Sequence, residues 1–114
     1  MTENRPRVVF LDDNRDLREL MQILLGSVLG VECVCFSNLM ELESHSEEVL
    51  DAKVAILDIN LGPGAADGVD AFNWLKRHRF HGKILFLTGH ARSNPQVEEA
   101  ERKGVEILET SLSG

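Results

Sequence analysis

Five short apolar runs recur along the chain, at residues 8–11, 31–36, 54–57, 84–87 and 105–108. The first, third and fourth are continuous rather than alternating, as expected of strands covered on both faces. Helical patterns fill the gaps. Leu17, Leu20, Met21, Leu24 and Val28 follow a 3.6-residue period and predict one amphipathic helix. Asn38 with Glu41 three residues later reads as a capping box opening a second helix, with Leu39, Leu42, Val49 and Leu50 on its apolar face. Val69, Phe72, Trp74 and Leu75 mark a third, in which Trp74 is expected to point outward or lie half-buried. Asn94-Pro95 and Gly104 bracket a fourth, thinly apolar helix carrying Val97 and Ala100. The order βαβαβαβαβ implies a doubly wound parallel sheet with helices on both sides and right-handed crossovers.

In such sheets ligands bind beyond the carboxyl ends of the strands. Those positions hold Asp12 and Asp13 after the first run, Asp58 after the third and Thr88 after the fourth. One aspartate there would do no more than end a strand and start a turn. An acidic pair, a second aspartate and a threonine, each directly after a hydrophobic run, form a pattern. Carboxylates sharing one edge repel unless a cation neutralises them. Hard oxygen ligands of this kind suit Mg2+, which takes one or two carboxylates and phosphoryl oxygens. A carboxylate beside such an ion is a nucleophile towards phosphorus, and the Thr88 hydroxyl is a donor to a phosphoryl oxygen.

Length and charge narrow the class. At 114 residues the chain holds one domain, and 19 acidic against 12 basic side chains give a net charge of −7. That balance counts against a nucleic-acid backbone binder. Residues 1–6 read as a flexible polar N-terminus without the apolar stretch of a signal peptide, and no run is long enough to span a bilayer, so the expected compartment is the cytoplasm. Cys33 and Cys35 share one face of the second strand; their spacing is not the C-x-x-C redox motif, and they are taken as small, partly buried thiols.

The runs Val9-Phe10-Leu11-Asp12-Asp13, Leu57-Asp58-Ile59-Asn60-Leu61, Asp67-Gly68 and Leu87-Thr88-Gly89 together resemble the receiver domain of two-component response regulators, over residues 7–109. The resemblance implies a flavodoxin-like, five-stranded sheet in order 2-1-3-4-5, within a domain spanning 7–114. It implies that Asp58 is the phosphoacceptor, charged from a phosphohistidine on a sensor kinase or phosphotransfer domain. Asp13 and Asp58 match direct Mg2+ ligands, Asp12 the acid that holds the ion through water, and the main-chain carbonyl of Asn60 a further ligand. Thr88 matches the switch hydroxyl. Such a domain is a signalling switch rather than an enzyme, beyond slow self-catalysed phosphorylation and dephosphorylation.

Several positions depart from the family. Thr110 and Ser111 stand where the resemblance calls for lysine and proline, and Lys83 and Lys103 lie at the wrong edge to substitute. A neutral donor makes a contact about half as strong as a charged one, so transfer or output is expected to weaken while Mg2+ binding survives. Ile107 takes the aromatic switch position, Gly89 replaces a common alanine, and the stretch before Asp67 is about two residues longer than the family norm. His90, near the site edge, is read as exposed and without a special role.

Two rival classes follow. The lost lysine favours a pseudo-receiver, a protein-interaction module with weak or no phosphorylation. A haloacid-dehalogenase-type phosphatase, suggested by Asp12-Asp13-Asn14, would need a lysine, further acids and a cap that a chain this short lacks. Expected partners are a histidine kinase or phosphotransfer protein and a downstream target or second copy, with no direct nucleic acid or membrane contact. Only residues 110–114 follow the last run, too few for a fifth helix, so the chain reads as C-terminally short. The sheet face beside the first helix is then expected to lie bare unless the sequence is a fragment of a longer chain or a partner covers it, by dimerisation or segment exchange.

Overall fold

The computed structural model describes residues 6–58, 67–88, 102 and 104–109. Strand β1 (Arg7–Leu11) leads into helix α1 (Arg15–Ile23), whose last part widens into a π-helical turn over Leu24–Val28. Then follow β2 (Glu32–Phe36), the short helices α2 (Leu39–Glu43) and α3 (Ser46–Leu50), β3 (Val54–Asp58), α4 (Asp67–Arg77), β4 (Lys83–Thr88) and β5 (Glu106–Glu109). The parallel sheet runs β2-β1-β3-β4, with Leu85 to Thr88 of β4 also in parallel register with β5. The fourth helix expected from Asn94-Pro95 falls almost wholly outside the described residues, as do Gly89, His90 and Thr110.

Alternation along the buried strands sends neighbouring side chains to opposite faces. Val9, Leu11, Ala55, Leu57, Ile84 and Phe86 face one way and pack with Leu42, Val49, Phe72 and Leu75 from α2, α3 and α4. Phe72 meets Phe86 edge-on, with ring centroids 5.6 Å apart. Val8, Phe10 and Ile56 face the other way, towards Leu17, Met21 and Leu25 of the first helix and its π turn. Trp74 corrects the expectation of an outward or half-buried ring: it is buried in the first cluster and stacks on His78 one turn along.

Local chemistry sets the helix ends. The Asn14 side chain accepts from the Leu17 N–H and caps α1. The Asn38 side chain accepts from the Glu41 N–H, while the Glu41 carboxylate reaches back to the Ser37 N–H and hydroxyl, one residue earlier than in a standard capping box. Both hydrogen bonds from Ser37 hold the Glu41 carboxyl below its ordinary range. The predicted second helix is two helices. The Ser44 hydroxyl donates to the Glu41 carbonyl, His45 Nδ1 lies 3.0 Å from the same oxygen, and the chain turns at His45 before restarting. Helix α4 ends in a Schellman motif in which the Phe80 N–H donates to the Leu75 carbonyl and the Arg79 N–H to that of Lys76. Arg79 takes the left-handed conformation there, at φ 61°.

The apolar period of the first helix is only half used. Leu17 and Met21 pack on the sheet, but Leu20, Ile23, Leu24, Val28 and Leu29 are exposed, Leu20 by 54% and Val28 by 68%. The periodicity predicted one inward face of Leu17, Leu20, Met21, Leu24 and Val28; the packed face keeps Leu17 and Met21, adds Leu25, and is rotated away from Leu20, Leu24 and Val28. Leu85 and Leu87 on the same side of the sheet are only partly buried. No helix among the described residues is long and apolar enough to cross a membrane.

Candidate functional site

Register brings the acids together. Leu11 pairs with Leu57, so Asp12 follows β1 beside Asp58, the last residue of β3. One carboxylate oxygen from each of Asp12, Asp13 and Asp58 lies within 4.8 Å of the others. Asp12 is buried, Asp58 half-buried and Asp13 exposed, so the cluster opens to solvent on the Asp13 side.

The turn after β1 is held from several directions. The Asp12 N–H donates to the Phe36 carbonyl at 3.1 Å, extending the sheet pairing by one residue. Oδ1 of Asp12 accepts the Asn14 N–H at 2.8 Å, and Asn14 itself starts α1. The Arg18 guanidinium, one turn further along, donates to the Asp12 main-chain carbonyl at 2.8 Å. The sequence pattern did not single out Arg18. Its signal is its position four residues after a helix cap, where a long side chain on the first turn reaches back over the preceding loop.

The second carboxylate oxygen of Asp12, Oδ2, is buried with no hydrogen-bond partner. A buried acceptor left unmade costs about 1–3 kcal/mol, and more when charged. Burial raises the Asp12 carboxyl above its ordinary value, aided by Asp13 and opposed by the Asn14 N–H and Arg18. Asp58 is pushed up to about 7, first by burial and then by the charges of Asp12 and Asp13. Three mutually repelling carboxylates with one orphaned oxygen are a donor set that a hard divalent cation satisfies. The residues present therefore fit Mg2+.

Of the other predicted positions, the main chain of Thr88 ends β4 one residue past the Asp58–Leu87 pair, on the same sheet edge as the acids. Ile107 lies in β5 opposite Phe86. The side chains of both lie outside the described residues, as do Asn60, Thr110 and the stretch before Asp67. Lys83 starts β4 and pairs with Glu106 at the amino edge of the sheet, the far end from the acids.

The fold recurs among solved structures. A chemotaxis protein, CheY4, from Vibrio cholerae superposes with a TM-score of 0.76 at 18% identity, covering 96% of this chain and 89% of that one. A response regulator receiver domain protein from Clostridium thermocellum gives 0.77 at 23% identity, covering 95% and 84%. The response regulator TrrA of Thermotoga maritima, in complex with Mg2+ and BeF, gives 0.71 at 25% identity, covering 95% and 89%. No curated protein matches the chain significantly in sequence. The family model of the response regulator receiver domain matches residues 8–109. With that match over most of its length, and an acidic cluster at the carboxyl edge of a CheY-like parallel sheet, the chain belongs to the response regulator receiver domain family.

Proposed function

We propose that this receiver domain takes a phosphoryl group on Asp58 in a Mg2+-dependent transfer and so acts as a signalling switch. The observation that carries the proposal is the clustering of Asp12, Asp13 and Asp58 within 4.8 Å, with Asp12 Oδ2 buried and unpartnered. Asp12, Asp13 and Asp58, with the main-chain carbonyl of Asn60, would hold the ion. When bound, Mg2+ supplies positive charge against the carboxylates and the incoming phosphoryl oxygens.

The chain's own groups do the rest. The Asp58 carboxylate attacks phosphorus in line, and the bond from phosphorus to the donor histidine breaks, leaving an acyl phosphate on Asp58. Asp58 ends a buried strand, so its approach direction is fixed before the donor arrives. The Thr88 hydroxyl donates to a phosphoryl oxygen and reports its arrival. The phosphoryl donor is a histidine kinase or phosphotransfer protein, and the reader is a downstream protein or a second copy. Slow self-catalysed phosphorylation and dephosphorylation accompany the role, without turnover of a separate substrate.

A second reading rests on one observation. Thr110 stands at the family's lysine position, so no ammonium is expected there to pair with the phosphoryl group. That favours a weakly phosphorylated interaction module. Beryllofluoride, a phosphoryl mimic, separates the two. Titration with beryllofluoride and Mg2+, followed by 19F NMR, is expected to give a bound signal that Asp58→Asn abolishes. A protein that binds no beryllofluoride at saturating Mg2+ supports the interaction module instead.

A further inference from the structure

Strand β2 is the outer strand of the sheet and carries Cys33 and Cys35. Both thiols are free and half-buried, and both pack on the α1 side, in the cluster that includes Met21 and Leu25. Their sulfur atoms lie 3.7 Å apart. The Cys35 thiol donates to the Arg18 carbonyl at 3.5 Å, which fixes its direction.

We propose that Cys33 and Cys35 form a bidentate dithiolate site for a thiophilic divalent ion of the zinc group. Metal–thiolate bonds of about 2.3 Å across a sulfur separation of 3.7 Å subtend roughly 107° at the ion, close to the tetrahedral angle. The sulfur separation therefore already matches the bite of a chelated tetrahedral ion. The alternatives require movement. A linear two-coordinate ion with bonds of that length needs sulfurs about 4.6 Å apart, so the thiols would have to separate. A disulfide needs them about 2.05 Å apart, between strand positions whose Cα atoms, at about 6.6 Å, sit near the upper limit of about 6.8 Å. Closing it would bend β2 against the pairings of Cys33 with Val8 and Cys35 with Phe10.

The two thiols are also prepared unequally. Their mutual hydrogen bond holds Cys35 below its usual range and, with burial, pushes Cys33 above it. Cys35 is thus the first to lose its proton. Binding forms two metal–sulfur bonds, releases both thiol protons to solvent and transfers no electrons; water fills the remaining positions. Soft sulfur donors here and hard oxygen donors at Asp12, Asp13 and Asp58 select different ions, so the site stands independently of the phosphoryl chemistry.

The test uses the reduced protein with saturating Mg2+, titrated with Cd2+ as the spectroscopic probe. One Cd2+ per chain by native mass spectrometry, a thiolate-to-cadmium charge-transfer band in the ultraviolet, release of two protons per ion and protection of both thiols from iodoacetamide are expected. Cys33→Ser and Cys35→Ser each lose the band, while Asp58→Asn keeps it. Protection is read on the unaltered chain, so it does not depend on either serine variant folding. Absence of the band, its survival in a single serine variant, or alkylation undiminished by Cd2+ would overturn the site.

Discussion

Asp12 and Asp58 stand at neighbouring strand ends, one step past the Leu11–Leu57 pair, with carboxylate oxygens within 4.8 Å. Burial and this closeness push Asp58 up to about 7, so the folded chain holds a proton that the unfolded chain releases near pH 4. Over that window the native state binds more protons, and stability falls as pH rises from about 4 to 7, remaining lower above it. Asp58→Asn removes the repelling charge. Without divalent ions the variant is expected to be more stable than the parent at pH 8 by about 1–2 kcal/mol, a figure discounted for solvent screening, with the advantage vanishing near pH 4. Urea melts at the two pH values measure it.

The same proton competes with Mg2+. Ligation needs the Asp58 carboxylate, so affinity is expected to rise by roughly tenfold between pH 6 and pH 8, with proton release on binding at the lower pH. Calorimetry in buffers of different ionisation enthalpy counts that proton. An affinity flat across this range would contradict the placement of Asp58 beside Asp12 and Asp13.

Arg79 ends α4 in a left-handed conformation that favours glycine. Arg79→Gly relieves the side-chain strain but frees the unfolded chain, so the expected gain is about 0.5–1 kcal/mol. Thermal unfolding reads the change, and a lower midpoint would contradict the Schellman geometry.

Leu42 and Leu24 are the same residue in opposite situations. Leu42 is fully buried and Leu24 is 45% exposed. Leu42→Ala is expected to cost about 2–5 kcal/mol, whereas Leu24→Gln changes stability by about 0.5 kcal/mol or less. Equal losses in denaturant titrations would contradict the observed rotation of the first helix.

That contrast also marks what the sequence could reveal. Continuous runs such as Val8-Val9-Phe10-Leu11 identify two-sided strands because only burial on both faces tolerates them, and the acids after such runs fall on the carboxyl edge by topology. Asn14 and Asn38 carry their capping chemistry in the side chain itself. Which leucines of the first helix face the sheet depends on helix rotation, which periodicity fixes only to within a neighbouring position. The break at His45 goes with the contacts of the Ser44 and His45 side chains to the Glu41 carbonyl, local polar bonding that apolar spacing does not record. The burial of Trp74 reflects how closely α4 seats on the sheet, and Arg18 reaches Asp12 across a loop whose shape only the fold defines.

The role proposed for Asp58 is that of a phosphoacceptor served by Asp12 and Asp13. Incubating the protein with Mg2+ and acetyl phosphate, then measuring the intact mass, tests it most directly. The expected result is a mass gain of one phosphoryl group that needs Mg2+, maps to Asp58 and disappears in Asp58→Asn. An unchanged mass, or a gain that survives Asp58→Asn, would contradict it.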